Sequence, residues 1–334
     1  MWLHRSRDAK VESEKGMEHT LYRLLEDAAG QGASDVHLEP GEGVVRVRYR
    51  VDGELREVCP LGGGDWPRLV GVLKLLAGLD LLDGLRPQDG VLPVNGHTWR
   101  VALLPCVQGE RVTLRLQGGL PASGLEDLGL EPEVVAEVRS LLEGSGLLAI
   151  TGPASSGKTT TLYACLKEVA ESGKSTISVE DPVEQPIPGV TQVQVQPRAG
   201  FGFLAAMRAA LRHDPRVLAV GEVRDEESTR AAVRCALGGH LVLCTLHAGG
   251  AAGAVERLVE MGADRRHLTV ALCGILEQRL VRRPCGDCQG AGCPECGSRG
   301  WQGRRALARL VRGLPGMRQF PVDERKGGLR RDEE

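Results

Sequence analysis

A lysine and a threonine at the end of a glycine-framed run are the residues best equipped for chemistry. Gly152-Pro153-Ala154-Ser155-Ser156-Gly157-Lys158-Thr159-Thr160 has the form G-x-x-x-x-G-K-[ST], the spacing of a phosphate-binding loop. Gly152 and Gly157 let the main chain come close to phosphate oxygens, so that backbone N–H groups point at the anion. Lys158 supplies a mobile charge for β- and γ-phosphates, and the Thr159 hydroxyl suits Mg²⁺. A surface loop ending in a lysine would look similar in isolation, but the flanks argue for a nucleotide site. Residues 147–151 form an apolar run that suits a buried strand. Residues 160–170 lack Gly and Pro and place Leu162, Leu166 and Val169 at helical spacing. The N-terminus of such a helix adds partial positive charge behind the loop.

Hydrolysis needs more than a phosphate cradle: a group must orient water and another must help hold Mg²⁺. Val217-Leu218-Ala219-Val220-Gly221-Glu222 is an apolar strand ending in a carboxylate, where ligands of open α/β sheets bind. Glu222 is therefore the candidate for positioning the attacking water. Val179-Glu180-Asp181-Pro182-Val183-Glu184 ends a second strand with acids. Glu180 and Glu184 are candidates for facing Mg²⁺ or its waters, although acidic turns are often only solvated. His240 and His247 bracket the strand 241–246. Either is a candidate γ-phosphate sensor, with an ordinary structural histidine as the competing reading.

The chain carries ten cysteines, four of them clustered as Cys285-x-x-Cys288-x4-Cys293-x-x-Cys296. Two Cys-x-x-Cys knuckles can close a tetrahedral cage around a structural Zn²⁺, with Gly290 and Gly292 easing the return between them. The others (Cys59, Cys106, Cys165, Cys235, Cys244, Cys273) stand singly and mostly in apolar surroundings. They read as small hydrophobes of a reduced compartment.

These groups need a scaffold, and 334 residues allow two or three domains. Residues 1–16 are polar and expected to be disordered. A helix over 17–30, an alternating strand over 44–51, a helix over 66–79 and strands near 98–104 and 110–116 predict a small α+β domain at 17–117. The Gly/Pro-containing segment 118–126 reads as a linker. From there to residue 284 strands alternate with helices, with strands expected at 147–151, 176–180, 190–195, 217–221 and 240–245, the pattern of a mostly parallel sheet. The cysteine knuckle and a short helix at 304–312 follow, and then a polar tail over 313–334. The net charge of −2 and the aromatic content of 3% argue against direct nucleic-acid binding. No long apolar stretch and no signal-peptide core is present, so a cytoplasmic protein is expected that meets a membrane only through partners.

In combination the motifs resemble those of the secretion ATPases of the type II secretion, type IV pilus and competence machineries. The resemblance rests on the phosphate-binding loop and the Glu180–Glu184 acidic box. It rests equally on Leu211-Arg212-His213-Asp214-Pro215 running into 220–225, on 239–247, and on Glu277-Gln278-Arg279-Leu280. The segments 32–40, 48–53 and 86–90 resemble that family's PAS-like N-terminal domain. The resemblance implies a RecA-like P-loop ATPase core of α/β class, with a PAS-like domain before it and a zinc knuckle near the C-terminus. It further implies a homo-hexameric ring that hydrolyses ATP and docks on an inner-membrane platform protein to extend a pilus or pseudopilus. Arginines of the N-terminal domain would reach the phosphates. Arg100 matches one such position, whereas Val91 stands where the other is usual. Ser155 replaces a glycine usual in the loop, and Arg86 or Arg115 is a candidate to compensate for Val91. The additional N-terminal domain of many assembly members is expected to be missing, and the helical region after the knuckle is expected to be cut to one helix. A non-hydrolysing nucleotide-binding scaffold is the alternative reading.

Overall fold

The computed structural model describes residues 2–117 and 124–313, with side chains from residue 16 onward except at 198. Most of the expected linker and nearly all of the polar tail lie outside the described residues. The chain divides into two compact units: 1–121 with 184–186 and 281–305, and 122–183 with 187–280 and 306–334. Among the described residues no helix is long and apolar enough to cross a membrane.

The first unit begins with helix α1 (Trp2–Gly30), which takes in the polar stretch expected to be disordered. Strands β1 (Ala33–Pro40), β2 (Val44–Val51), β3 (Glu54–Glu57) and β4 (Leu61–Gly62) come next, then α2 (Trp66–Leu76) and strands β5 (Gln88–Val94), β6 (His97–Cys106) and β7 (Gly109–Gln117). They form an antiparallel sheet in the order β3-β2-β1-β7-β6-β5, with β4 on β2. Alternation decides its faces. Val36, Leu38, Val45, Val47, Tyr49, Trp99, Val101, Val112 and Leu114 turn to one side and are buried with Leu21, Leu25 and Leu73 of the helices. The opposite side is polar. Register places Arg50, Asp35, Arg115, Arg100 and Val91 side by side across five strands.

The second unit contains α3 (Pro132–Leu142), β8 (Gly146–Thr151), α4 (Lys158–Glu171), β9 (Thr176–Glu180), β10 (Thr191–Gln194) and α5 (Phe203–Ala210). After these come β11 (Val217–Val220), α6 (Glu226–Leu237), β12 (Leu241–Leu246), α7 (Ala251–Glu260) and α8 (Arg265–Ala271). Strands β13 (Leu272–Pro284) and β14 (Trp301–Val311) complete a sheet in the order β10-β9-β11-β12-β8-β13-β14. All the expected strands of this region are present. Register is parallel from β10 through β13, and both faces are buried, as such sheets require. Leu147, Ala149, Leu218, Val220, Val242 and Cys244 pack with α5, α6, α7 and α8 on one side. Leu148, Ile150, Val217, Ala219, Leu241 and Leu243 pack with α3 and α4 on the other.

A further expectation is corrected at the C-terminal end of the sheet. Residues 304–311 of the expected helix at 304–312 form most of β14 instead. The run Arg304-Arg305-Ala306-Leu307-Ala308-Arg309-Leu310 has helical propensity, but the sheet edge offered by β13 and burial of Ala306 override it.

Candidate functional site

Parallel strands deliver their C-terminal ends to one edge of the sheet, and strand order decides which loops become neighbours. Because β12 lies between β8 and β11, the loop after β8 meets the residues that follow β12, and these meet the residues that follow β11. Thr151 Oγ1 donates to the Ala248 carbonyl at 3.2 Å, tying the end of β8 to the His247 segment. Thr245 Oγ1 donates to the Gly221 carbonyl at 2.6 Å, and Val223 N to the Thr245 carbonyl at 3.2 Å, which fixes the turn carrying Glu222.

In this frame the phosphate loop joins β8 to α4, as its spacing predicts. Lys158 Nζ donates to the carbonyls of Gly152 and Pro153 at 2.9 and 2.8 Å and lies 3.3 Å from His247 Nδ1. On the far side of the imidazole, His247 Nε2 lies 3.4 Å from Glu222 Oε1. An ammonium has only donors, so Nδ1 accepts from Lys158 and the imidazole proton sits on Nε2, facing the carboxylate. Arg224 grips the other oxygen of Glu222 through Nη2 at 2.6 Å and Nε at 2.8 Å. Burial pushes the Lys158 ammonium below its ordinary range, with Glu222 pulling it back upward. Lys158, His247 and Glu222 are thus one connected chain of polar groups.

The loop also shows features suited to an anion. The Ser156 hydroxyl is buried and has no hydrogen-bond partner. Thr159 and Thr160 are exposed at the start of α4. Ser155 adopts φ of 58°, a left-handed backbone that glycine takes without strain and serine does not. Gly152 and Gly157 are required by what lies beneath them as well as by phosphate approach. A Cβ at 152 would stand 2.1 Å from the Gln278 carbonyl oxygen, and one at 157 would stand 2.9 Å from Gln278 Nε2.

The remaining candidates have surroundings of their own. His240 precedes β12 and bonds the Pro215 carbonyl through Nδ1 at 2.8 Å. Six residues of extended strand, about 20 Å, separate it from His247, so His240 stands at the opposite end of β12 from Lys158. Glu180 is 3% exposed, and its carboxylate accepts from Tyr163, from Ser178 at 2.5 Å and from Gln192 at 3.1 Å. It forms a buried network at the end of β9. Glu184 is exposed and belongs to the first unit. In that unit Arg100 is exposed, with Val91 and Arg115 as its lateral neighbours. Arg115 is committed to Asp35 at 2.8 Å and Arg86 to Asp83 at 3.2 Å. Sequence reasoning assigned no task to Arg224 or Gln278. The position of Arg224 two residues beyond Glu222 was the available signal for the first.

The cysteine knuckle sits between β13 and β14. Its four sulfurs lie within 4.8 Å of one another, with Cys285–Cys293 and Cys288–Cys296 at 3.8 Å and Cys293–Cys296 at 3.7 Å. A tetrahedral ion with metal–sulfur bonds of about 2.3 Å sets sulfurs about 3.8 Å apart, so the set fits such an ion. Backbone N–H groups of Cys293 and Gly300 point at Cys296 Sγ from 3.3 and 3.2 Å. Such donors favour the thiolate, and the Cys296 thiol is lowered to about 6. In the same unit the knuckle is tied to the β2–β3 turn. Arg299 donates to the Cys296 carbonyl and lies 3.4 Å from Asp52, while Arg282 pairs with Glu54 and stacks 4.4 Å from the Trp301 ring centroid.

Comparison with known proteins agrees with this geometry. The family described as Type II/IV secretion system protein matches residues 10–327. Over 89% of its length the chain is 37% identical to the type IV pilus assembly ATPase PilB of Thermus thermophilus, and over 86% it is 43% identical to the type II secretion system protein HxcR of Pseudomonas aeruginosa. It spans 37% and 64% of those proteins respectively. Among solved structures, the Legionella pneumophila ATPase DotB superposes with a TM-score of 0.69 at 27% identity, covering 88% of this chain and 80% of that one. The pilus retraction motor PilT with bound ADP gives 0.62 at 25% identity, covering 89% and 84%. With the phosphate loop, Glu222 and His247 meeting at one sheet edge, the chain belongs to the type II/IV secretion system protein family.

Proposed function

We propose that the chain is an Mg²⁺-dependent ATP hydrolase that works as a homo-hexameric motor, driving assembly of a pilus or pseudopilus in type II secretion, type IV pili or competence. The observation that carries this reading is the connection of Lys158 to Glu222 through His247. It joins the group that holds the terminal phosphates to the group that holds water. Lys158 leaves the Gly152 and Pro153 carbonyls to pair with phosphate oxygens, and Glu222, steadied by Arg224, accepts a hydrogen bond from the attacking water. His247 reports the occupancy of one to the other. Bound Mg²⁺ would neutralise charge on the phosphates, held by Thr159, with Glu180 and Glu184 as candidates for its outer waters. Arg100 is proposed to donate to the phosphates.

The first unit is proposed to be the PAS-like domain of such motors, and the four cysteines to hold a structural Zn²⁺. An inner-membrane platform protein is the proposed partner, and membrane association follows through it from the cytoplasmic side. A non-hydrolysing scaffold in the same machinery is the second reading. It is favoured by Val91 in the row beside Arg100 and by the left-handed Ser155. Equilibrium binding of ATP with and without Mg²⁺ tests the reading. Affinity that is lost in Lys158→Ala supports it, and binding indifferent to that substitution would remove the loop from the account.

A further inference from the structure

We propose that Gln278 is a positioning residue for the phosphate loop, setting the direction in which the loop's backbone N–H groups point. This rests on the reading of that loop as a nucleotide site. Gln278 lies on β13, is 4% exposed, and uses both ends of its amide. Nε2 donates to the Ser156 carbonyl at 2.8 Å, and Oε1 accepts from Thr161 Oγ1 in the first turn of α4 at 2.6 Å.

The consequence follows from the planar trans peptide. The carbonyl of Ser156 and the N–H of Gly157 belong to one peptide unit and point in opposite directions. Holding the carbonyl down toward β13 therefore turns the Gly157 N–H to the other side of the loop, away from β13. The tie to Thr161 fixes the same amide against the helix that begins at Lys158, so loop and helix keep a single relative pose. The glycines fit this role, since a Cβ at either 152 or 157 would collide with Gln278 itself. A buried amide with both ends satisfied is a rigid prop, and an apolar side chain of the same volume would fill the space without fixing the peptide.

The test compares Gln278→Glu, which keeps size and the acceptor for Thr161 but carries no N–H donor at pH 8, with Gln278→Met and Thr161→Val. The probes are a fluorescent ADP analogue and steady-state ATP turnover, beside wild type and Lys158→Ala. Loss of one well-placed hydrogen bond corresponds to about tenfold in affinity. Gln278→Glu and Gln278→Met are expected to weaken ADP about tenfold or more and to raise KM more than they lower kcat. Thr161→Val, which leaves the Ser156 bond in place, is expected to change affinity less than about threefold. Melting temperature without nucleotide identifies a misfolded variant, and if Gln278→Met fails to fold, Gln278→Glu decides. Gln278→Glu binding ADP within about twofold of wild type, while Lys158→Ala loses it, overturns the proposal and leaves the loop assignment standing. Wild-type protein that binds no ADP overturns both.

Discussion

His247 Nδ1 lies 3.3 Å from Lys158 Nζ, so the lysine of the phosphate loop stands against an imidazole whose other nitrogen faces Glu222. The proposed function gives the coupling task to His247 rather than to His240, which bonds the Pro215 carbonyl at the other end of β12. His247→Ala is expected to lower kcat by about 10²-fold, the order seen when one positioned donor is removed, with ATP affinity kept within a few-fold. His240→Ala is expected to leave kcat nearly unchanged. Steady-state kinetics on both variants checks this, and equal loss in the two would contradict the placement.

The two histidines also show what the sequence could and could not reveal. Both flank the same apolar strand, and only the direction of β12 in the sheet separates the end that meets Lys158 from the end that meets Pro215. The phosphate loop and Glu222 were legible because each follows a short apolar run that had to be a buried strand. The Gln278 prop was not, since a glutamine within a buried strand gives no periodic signal of its own. Residues 304–311 carry local propensity for a helix, and only pairing at the sheet edge makes them part of β14.

Ser155 stands in a left-handed conformation at φ 58°, which costs a residue with a Cβ about 1–2 kcal/mol. Ser155→Gly is expected to stabilise the second unit by about 1 kcal/mol. Denaturant unfolding provides the measurement. A destabilised Ser155→Gly protein would show that the serine side chain contributes more than its backbone strain costs.

Lys158 titrates in a direction that links nucleotide to pH. Burial lowers its pKa in the folded chain, so the unfolded chain keeps this proton to higher pH. Between the two values the unfolded state binds more protons, and this group's contribution to stability therefore rises with pH. Phosphate reverses the shift by favouring the ammonium. ATP binding between the lowered pKa and the phosphate-paired one is expected to take up protons, and affinity to fall as pH rises through the lowered value. Calorimetry in buffers of different ionisation enthalpy reads the uptake, and a binding heat that does not depend on the buffer would contradict it.

The knuckle offers a metal-dependent prediction. Arg299 joins the carbonyl of Cys296 to Asp52, so the cage and the β2–β3 turn are mechanically connected. Stripping metal with a chelator is expected to open residues 285–300 to protease and to release four titratable thiols beyond those exposed before. Asp52→Ala is expected to loosen the same segment with the metal still bound. Unchanged protease resistance after complete metal removal would contradict a structural ion.

ATP turnover by the purified, metal-loaded protein across a concentration series, beside Glu222→Gln, bears most directly on the central claim. A working ring motor predicts turnover per chain that rises steeply with protein concentration and vanishes in Glu222→Gln, while the variant still binds ATP. Tight ATP binding by both proteins with no turnover at any concentration would contradict it and identify a scaffold.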